Sequence, residues 1–362
     1  MADPSSPLMA LREGRWFKLI CGASFQHLPA IRSLALAYGL AGAHCIDVAA
    51  DPAVVAAVRS AWAIAPTLGF TPPTWTPPWL MVSLNDGEDP HFRKAFFDPA
   101  TCPPDCLRPC EQVCPTQAIA AWPNGAGVTP GVIEPLCYGC GRCLPVCPHG
   151  RIIAHYRGLS PVLVGPLLLE MAPDALEIHT QIGRDRAFER LWRVIAPDLL
   201  GHLKLVAISC PGGPGHGDYL KTLYEIMAPD LAIADCTLLW QTDGRPMSGD
   251  IGGGTTHAAI ALAQETLALN LPGFVQLAGG TNDHTWPRLQ ALGLLRAIAG
   301  VAYGGYGRSQ LQPILDELDA IAHDRGQALN LEDVPPLLHR AVDRARAIVG
   351  LHHPTAAAPM PP

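Results

Sequence analysis

KLVAISCPGGPGHGDYLKTLYEIMAPDLAIADC, residues 204–236, begins with a short apolar run, turns through glycines, continues through helical material and closes on a second apolar run. Strand, helix and strand in that order form a β-α-β unit, whose strands lie parallel because the helix carries the chain back to the starting edge. The fold then depends on how often the unit recurs. Upstream, FKLICG (17–22), HCIDVAA (44–50), WLMVSLND (79–86) and ALEIHT (175–180) read as strands, and downstream GFVQLAGG (273–280) and IAGVAYGG (298–305) do so as well. With KLVAISC (204–210) and LAIADC (231–236) they make eight candidates separated by helix-like segments, among them residues 27–40, PVLVGPLLLEM and the amphipathic DRAFERLWRVIA. Eight alternations predict an α/β protein built as a (β/α)8 TIM-like barrel. The alternative is an open doubly wound α/β sheet, which the lack of a nucleotide fingerprint after the first strand disfavours.

One region interrupts the alternation. CYGCGRCLPVCPHG (137–150) carries Cys137-x2-Cys140-x2-Cys143-x3-Cys147-Pro148, the spacing of bacterial ferredoxins. Two-residue gaps let a tight loop wrap three thiolates around one cluster, while the fourth cysteine, before proline, serves the other cluster of a pair. A partner run precedes it: Cys102-x3-Cys106-x3-Cys110-x3-Cys114-Pro115. Its spacing suits one helix face, but Pro103, Pro104 and Pro109 argue for a loop. The crossed assignment puts Cys102, Cys106, Cys110 and Cys147 on cluster 1, and Cys137, Cys140, Cys143 and Cys114 on cluster 2. Two [4Fe–4S] clusters are expected. The wider first run leaves open an atypical [3Fe–4S] cluster, and structural zinc is the rival reading. The region falls between the third strand candidate and its helix. In a barrel every such loop lies on the C-terminal face, so the clusters should sit beside the mouth.

Glycine-rich loops follow several strands, including 210–218 and 248–258. Those after the seventh and eighth strands, Gly279-Gly280 and Gly304-Gly305 with Arg308 as counter-charge, occupy the usual phosphate grip of such barrels. They read either as a site for phosphate or flavin mononucleotide, or as turns needing positive φ. Polar residues within or near strand candidates, Asp47, Asn85, Glu177, His179, Asp235 and Gln276, are catalytic candidates or members of an internal polar network. Cys21, Cys45, Cys210 and Cys236 read as small buried hydrophobes. Trp75 and Trp79 should pack the proline-rich stretch between the second and third units.

Composition sets the outer limits. The chain has 362 residues, of which 49% are hydrophobic and 16% charged, which is core-forming rather than disordered. A net charge of −7 and the lack of a basic stripe speak against nucleic-acid binding. No apolar stretch reaches the ~20 residues of a membrane span, and no secretory leader is evident. Of 12 cysteines, eight fall in the two runs, which in a chain without a leader favours metal ligation in a reducing, cytoplasmic setting. The expected division is 1–97 as the first three β-α units, 98–157 as a ferredoxin-like insert, 158–350 as the rest of the barrel and 351–362 as a disordered tail.

GASFQHLPAIRSLALAYGLAGAHCIDVAADPAVV, PWLMVSLNDGEDPHFRKAFFDP, CYGCGRCLPVCPHG and EIHTQIGR together resemble the cyanobacterial light-dependent period protein (LdpA) family, over nearly the whole chain. The resemblance implies an iron–sulfur protein that conveys cellular redox state, and hence light intensity, to the circadian clock. It also implies clock proteins, including the clock-input histidine kinase, as partners; an electron donor or acceptor is expected for the clusters themselves. The cysteine runs carry over as cluster ligands, and no catalytic residue does. The alternative function is an iron–sulfur oxidoreductase, in which the clusters feed a flavin or other acceptor at the barrel mouth, as in dihydropyrimidine dehydrogenase-like enzymes.

Overall fold

The structure is a computed structural model that describes residues 6–120, 131–156, 161–245 and 254–352. The expected tail from 353 onward and most of the glycine loop at 248–258 lie outside the described residues. The strands are β1 (Trp16–Gly22), β2 (Cys45–Ala49), β3 (Trp79–Asn85), β4 (Arg93–Phe96), β5 (Ile119–Ala120), β6 (Gly131–Val132), β7 (Ile153–Tyr156), β8 (Ala175–His179), β9 (Leu205–Pro211), β10 (Thr237–Asp243), β11 (Phe274–Ala278) and β12 (Gly300–Tyr303). The helices are α1 (Pro7–Arg12), α2 (Leu28–Leu40), α3 (Pro52–Ile64), α4 (Pro109–Gln112), α5 (Cys143–Val146), α6 (Pro161–Met171), α7 (Asp185–Leu199), α8 (His216–Leu231), α9 (Thr256–Ala268), α10 (Thr285–Ala291), α11 (Gly305–Arg325) and α12 (Pro335–Val349).

Eight strands close into a parallel barrel in the order β1-β12-β11-β10-β9-β8-β3-β2, with helices between them. The expected (β/α)8 barrel is the fold, and the open sheet is not. One of its strands lies elsewhere than expected. LAIADC (231–236) is the end of α8 and a turn, with Ile233 88% exposed, and the sixth barrel strand is TLLWQTD (237–243). The short apolar run resembled a strand more closely because the true one turns Gln241 and Asp243 into the barrel, which breaks up its apolar pattern. Asp235 consequently sits in an exposed connection on the N-terminal side of β10 and not at the mouth.

Period-two alternation sends every second strand residue inward. The lower interior is apolar: Trp16, Cys45, Trp79, Met81, Ala175, Leu205, Ala207 and Leu239 pack together, and Leu11 of α1 closes them from below. Trp79 therefore belongs to the barrel interior, edge-on to Trp16 with ring centroids 5.8 Å apart. Trp75 does pin the proline-rich stretch, donating from Nε1 to the Gly39 carbonyl at 3.0 Å. The outward strand faces meet the helices in a second, larger apolar cluster. Cys21 and Cys210 are buried in this cluster.

Between β3 and α6 the chain leaves the barrel and builds the cysteine module on the C-terminal face. Antiparallel β4 and β7 form its base, Arg93 opposite Tyr156 and Phe96 opposite Ile153, so its first strand lies ahead of residue 98. A small core of Phe97, Cys110, Ala118, Ile119, Val132, Cys137, Cys143 and Ile152 holds it together. Lys94 ties the module to the barrel: its Nζ donates to Gln26 Oε1 and to the Glu134 carbonyl, each at 2.8 Å. Tyr156 donates its hydroxyl to Asn85 Oδ1 at 2.7 Å. Asn85, a catalytic candidate from sequence, is thus taken up in seating the module.

Candidate functional site

The cysteines gather in two groups that cross the sequence runs. Cys114 of the first run and Cys137, Cys140 and Cys143 of the second line one cavity between β4 and the module core. Cys102 is within electrostatic reach of Cys106 and Cys147, and Cys110 of Cys147. The first run is indeed mostly loop, with only the single turn of α4 following Arg108 in the left-handed conformation. In the second run Gly139 has a φ of +75°, and a Cβ there would lie 2.1 Å from the Arg93 carbonyl oxygen. Only glycine lets this loop lie against β4 so closely.

Both groups suit a cluster of iron and sulfide. Backbone N–H groups point at the thiols: Ala118 donates to Cys114 Sγ at 3.1 Å, Ala95 to Cys137 Sγ at 3.4 Å and Arg151 to Cys147 Sγ at 3.4 Å. Such N–H···S contacts stabilise thiolate-bound clusters and tune their potentials. Burial, and then the neighbouring Cys140, Cys137 and Cys114, push the Cys143 thiol up to about 12. Thiols that resist ionising together need a strongly positive metal centre to hold them as thiolates.

Above the apolar floor, the barrel interior turns polar. Trp16 Nε1 donates to Gln276 Oε1 at 2.5 Å, Gln276 Nε2 to Gln241 Oε1 at 2.6 Å, and Gln241 Nε2 to Glu177 Oε1 at 2.6 Å. Lys18, wholly buried, donates to Glu177 Oε2 and lies 3.8 Å from Asp47 Oδ2. Ser83 donates to the other Asp47 oxygen at 2.6 Å. Burial and then Glu177 raise the Asp47 carboxyl, whereas burial of Glu177 is outweighed by Lys18 and His179, which lower it. His179 Nε2 meets Glu177 Oε1 at 2.9 Å. Although burial opposes its charge, Glu177 lifts the imidazole to about 9.

The mouth cavity, about 70 Å³, is lined by Asp47, His91, His179, Gln241 and Asp243 from below and by Tyr138, Gly139 and Cys140 of the module from above. Gly279, Gly280, Gly304, Gly305 and Arg308 complete its wall, so the structure brings the expected glycine pairs together. Arg308 donates to the Ile20 carbonyl at 2.8 Å and lies over the Tyr138 ring at 4.5 Å, clasping barrel to module. Pockets for drug-sized ligands run to ~300 Å³ or more. A cavity of about 70 Å³ beneath the module suits an ion with a few waters.

Of the catalytic candidates, Asp47 and His179 face this cavity. Glu177 supports His179 from beneath, and Gln276 is a wholly buried member of the hydrogen-bond chain. Sequence reasoning missed Lys18, Asp89, His91, Gln241 and Asp243. A lysine amid the apolar FKLICG was the available signal for Lys18. Gln241 and Asp243 were lost with the misplaced sixth strand, and Asp89 and His91 lie in a loop without pattern.

Gly279 is at a φ of +56°, and a Cβ there would fall 2.0 Å from Asp243 Oδ1. Gly279→Ala is therefore expected to destabilise the barrel by ~1–3 kcal/mol through strain alone, and further by displacing Asp243. Thermal unfolding checks this, and an unchanged midpoint would contradict it.

Fold and site define a (β/α)8 barrel protein with a cluster-binding cysteine module seated over its mouth. The model of the LdpA Fe-S cluster-binding domain matches residues 102–157, and that of the light dependent period A C-terminal domain matches residues 167–351. The light dependent period A protein of Synechococcus elongatus is 50% identical over 351 residues, 96% of this chain and 93% of that one. The chain belongs to the light dependent period A family, and its module binds iron–sulfur. Among solved structures, a phosphonopyruvate hydrolase with oxalate and Mg²⁺ shares 12% identity at a TM-score of 0.39, covering 95% of this chain and 98% of that one. The Thermoplasma acidophilum (S)-3-O-geranylgeranylglyceryl phosphate synthase with sn-glycerol-1-phosphate shares 13% at 0.33, covering 94% and 97%. No helix among the described residues is long and apolar enough to cross a membrane.

Proposed function

We propose that the protein senses or relays redox state through two iron–sulfur clusters and passes it to timing partners, among them a clock-input histidine kinase. Cys102, Cys106, Cys110 and Cys147 hold one cluster; Cys114, Cys137, Cys140 and Cys143 hold the other. The observation that carries the reading is the crossing itself, since Cys114 leaves its own run to line the cavity of the second. Paired cubanes are ligated in this crossed way. Bound clusters supply one-electron chemistry. The chain's own part is to present N–H groups to the sulfurs and to fix the second cluster over the barrel through Arg308 and Tyr138. The name of the relative supports the link to light and timing.

Anaerobically purified protein should contain about eight irons and eight sulfides per chain, or about seven irons if the first cluster is [3Fe–4S]. Its capture of the kinase should differ between oxidised and reduced states. Four irons or fewer, or capture indifferent to redox state, would overturn the reading.

A second reading has one observation in its favour. Cys140 borders the same cavity as His179, Asp47 and Asp243, an arrangement that suits an oxidoreductase passing electrons to a small acceptor at the mouth. Denaturing the purified protein and recording the flavin spectrum of the supernatant separates the two readings: released flavin favours the oxidoreductase, and its absence leaves the sensor.

A further inference from the structure

Asp89, His91 and His179 have no part in the cluster chemistry, yet they converge. One donor atom from each lies within 4.8 Å of the other two. Asp89 and His91 come from the connection between β3 and β4, and His179 ends β8, so module and barrel each contribute. Both imidazoles are oriented from behind by buried carboxylates: Glu177 holds His179 Nε2 at 2.9 Å, and Asp243 lies 3.2 Å from His91 Nε2. With Nε2 engaged, Nδ1 is the atom each ring has to offer, and His91 Nδ1 already lies 2.8 Å from Asp89 Oδ1. A carboxylate behind one imidazole nitrogen, fixing the other on a shared point, is the arrangement that orients metal-ligating histidines. Two imidazoles and one carboxylate with open positions suit a first-row divalent ion.

We propose that Asp89, His91 and His179 bind a single divalent transition-metal ion at the barrel mouth, distinct from the iron–sulfur clusters. One such ion accepts a lone pair from each ring, the extra proton of a charged imidazole being released to solvent, and neutralises Asp89. The adjoining cavity of about 70 Å³ has room for about two waters as remaining ligands. Because the ligands span module and barrel, the ion also locks one onto the other.

The test uses the anaerobic, cluster-loaded protein, freed of loose metal by chelator and titrated with Mn²⁺. Free Mn²⁺ is counted by its solution paramagnetic resonance. One equivalent should bind per chain, and Zn²⁺ should displace it, following the usual affinity order. His91→Gln and His179→Gln should each weaken binding at least ~100-fold, and Asp243→Asn, which removes only the tether, ~10-fold or more. Absorbance near 400 nm verifies that the clusters remain. His91 lies on a loop, so its variant serves as the readout should the His179 variant lose its clusters. No uptake by the native protein below millimolar Mn²⁺ would overturn the proposal. So would uptake unchanged by His91→Gln with cluster absorbance intact.

Discussion

Cys114→Ser is expected to abolish or convert the cluster that Cys137, Cys140 and Cys143 hold, while leaving the first-run cluster in place. Cys147→Ser should do the reverse, striking the cluster of Cys102, Cys106 and Cys110. The expectation follows from position: Cys114 lines the cavity of the second run, whereas the charge of Cys147 is felt at Cys102 and Cys110. A serine oxygen is a harder, less readily ionised donor than a thiolate and holds iron poorly. Each variant should lose up to about half of its iron and one of two reduced-state paramagnetic resonance signals. If each substitution instead removed the signal of its own run, the crossed ligation would be wrong. The two should differ in severity. Cys114 accepts the Ala118 N–H at 3.1 Å, whereas Cys147 accepts that of Arg151 at 3.4 Å beside the exposed Pro148, His149 and Gly150.

The second large effect is expected inside the barrel. Lys18 and Glu177 are both wholly buried, and Glu177 is the partner that keeps the ammonium charged where water cannot reach it. Glu177→Gln leaves the Lys18 ammonium with the Met81 sulfur at 3.5 Å and Asp47, 3.8 Å away, as its nearby carboxylate, and should destabilise the barrel by about 3–5 kcal/mol. At roughly 2 °C per kcal/mol for a chain of this size, the midpoint should fall by about 6–10 °C. Fluorescence of Trp16 and Trp79, which pack in the barrel floor, reports on this transition. Lys18→Met combined with Glu177→Gln removes the unpaired ammonium. The double variant should recover much of the loss, because replacing both partners of a buried pair by neutral groups is often nearly neutral. Equal losses in the single and double variants would show that the pair contributes nothing as a pair.

Much of this molecule follows from local pattern. Apolar runs spaced by helical segments, seven of the eight at true barrel strands, already dictate a parallel sheet, because each helix must return the chain to the same edge, and their number points to a barrel. Cysteine spacing with a terminal proline likewise identifies a cluster loop, since three thiolates around one cluster require two-residue gaps. The sixth strand was not legible: a strand that turns Gln241 and Asp243 inward lacks the apolar regularity by which strands are recognised, and the apolar LAIADC beside it has that regularity without being a strand.

The site divides along the same line. Glu177 and His179 were visible because alternation along ALEIHT places them on one face. Lys18, Asp89, His91 and Asp243 were not, since their significance arises from neighbours up to 159 residues away, as Lys18 and Glu177 are. The sequence by itself determined the barrel, the location of the cysteine module after the third strand and hence the face it occupies, because these depend on periodicity and chain order. Only the tertiary structure decided which cysteines share a cavity, that Arg308 and Tyr138 join module to barrel, and that two histidines meet one aspartate over a buried ion-pair network. Those outcomes depend on closure of the barrel, which brings the ends of β1, β3, β8 and β10 to a common mouth, and on the distances and desolvation that closure imposes.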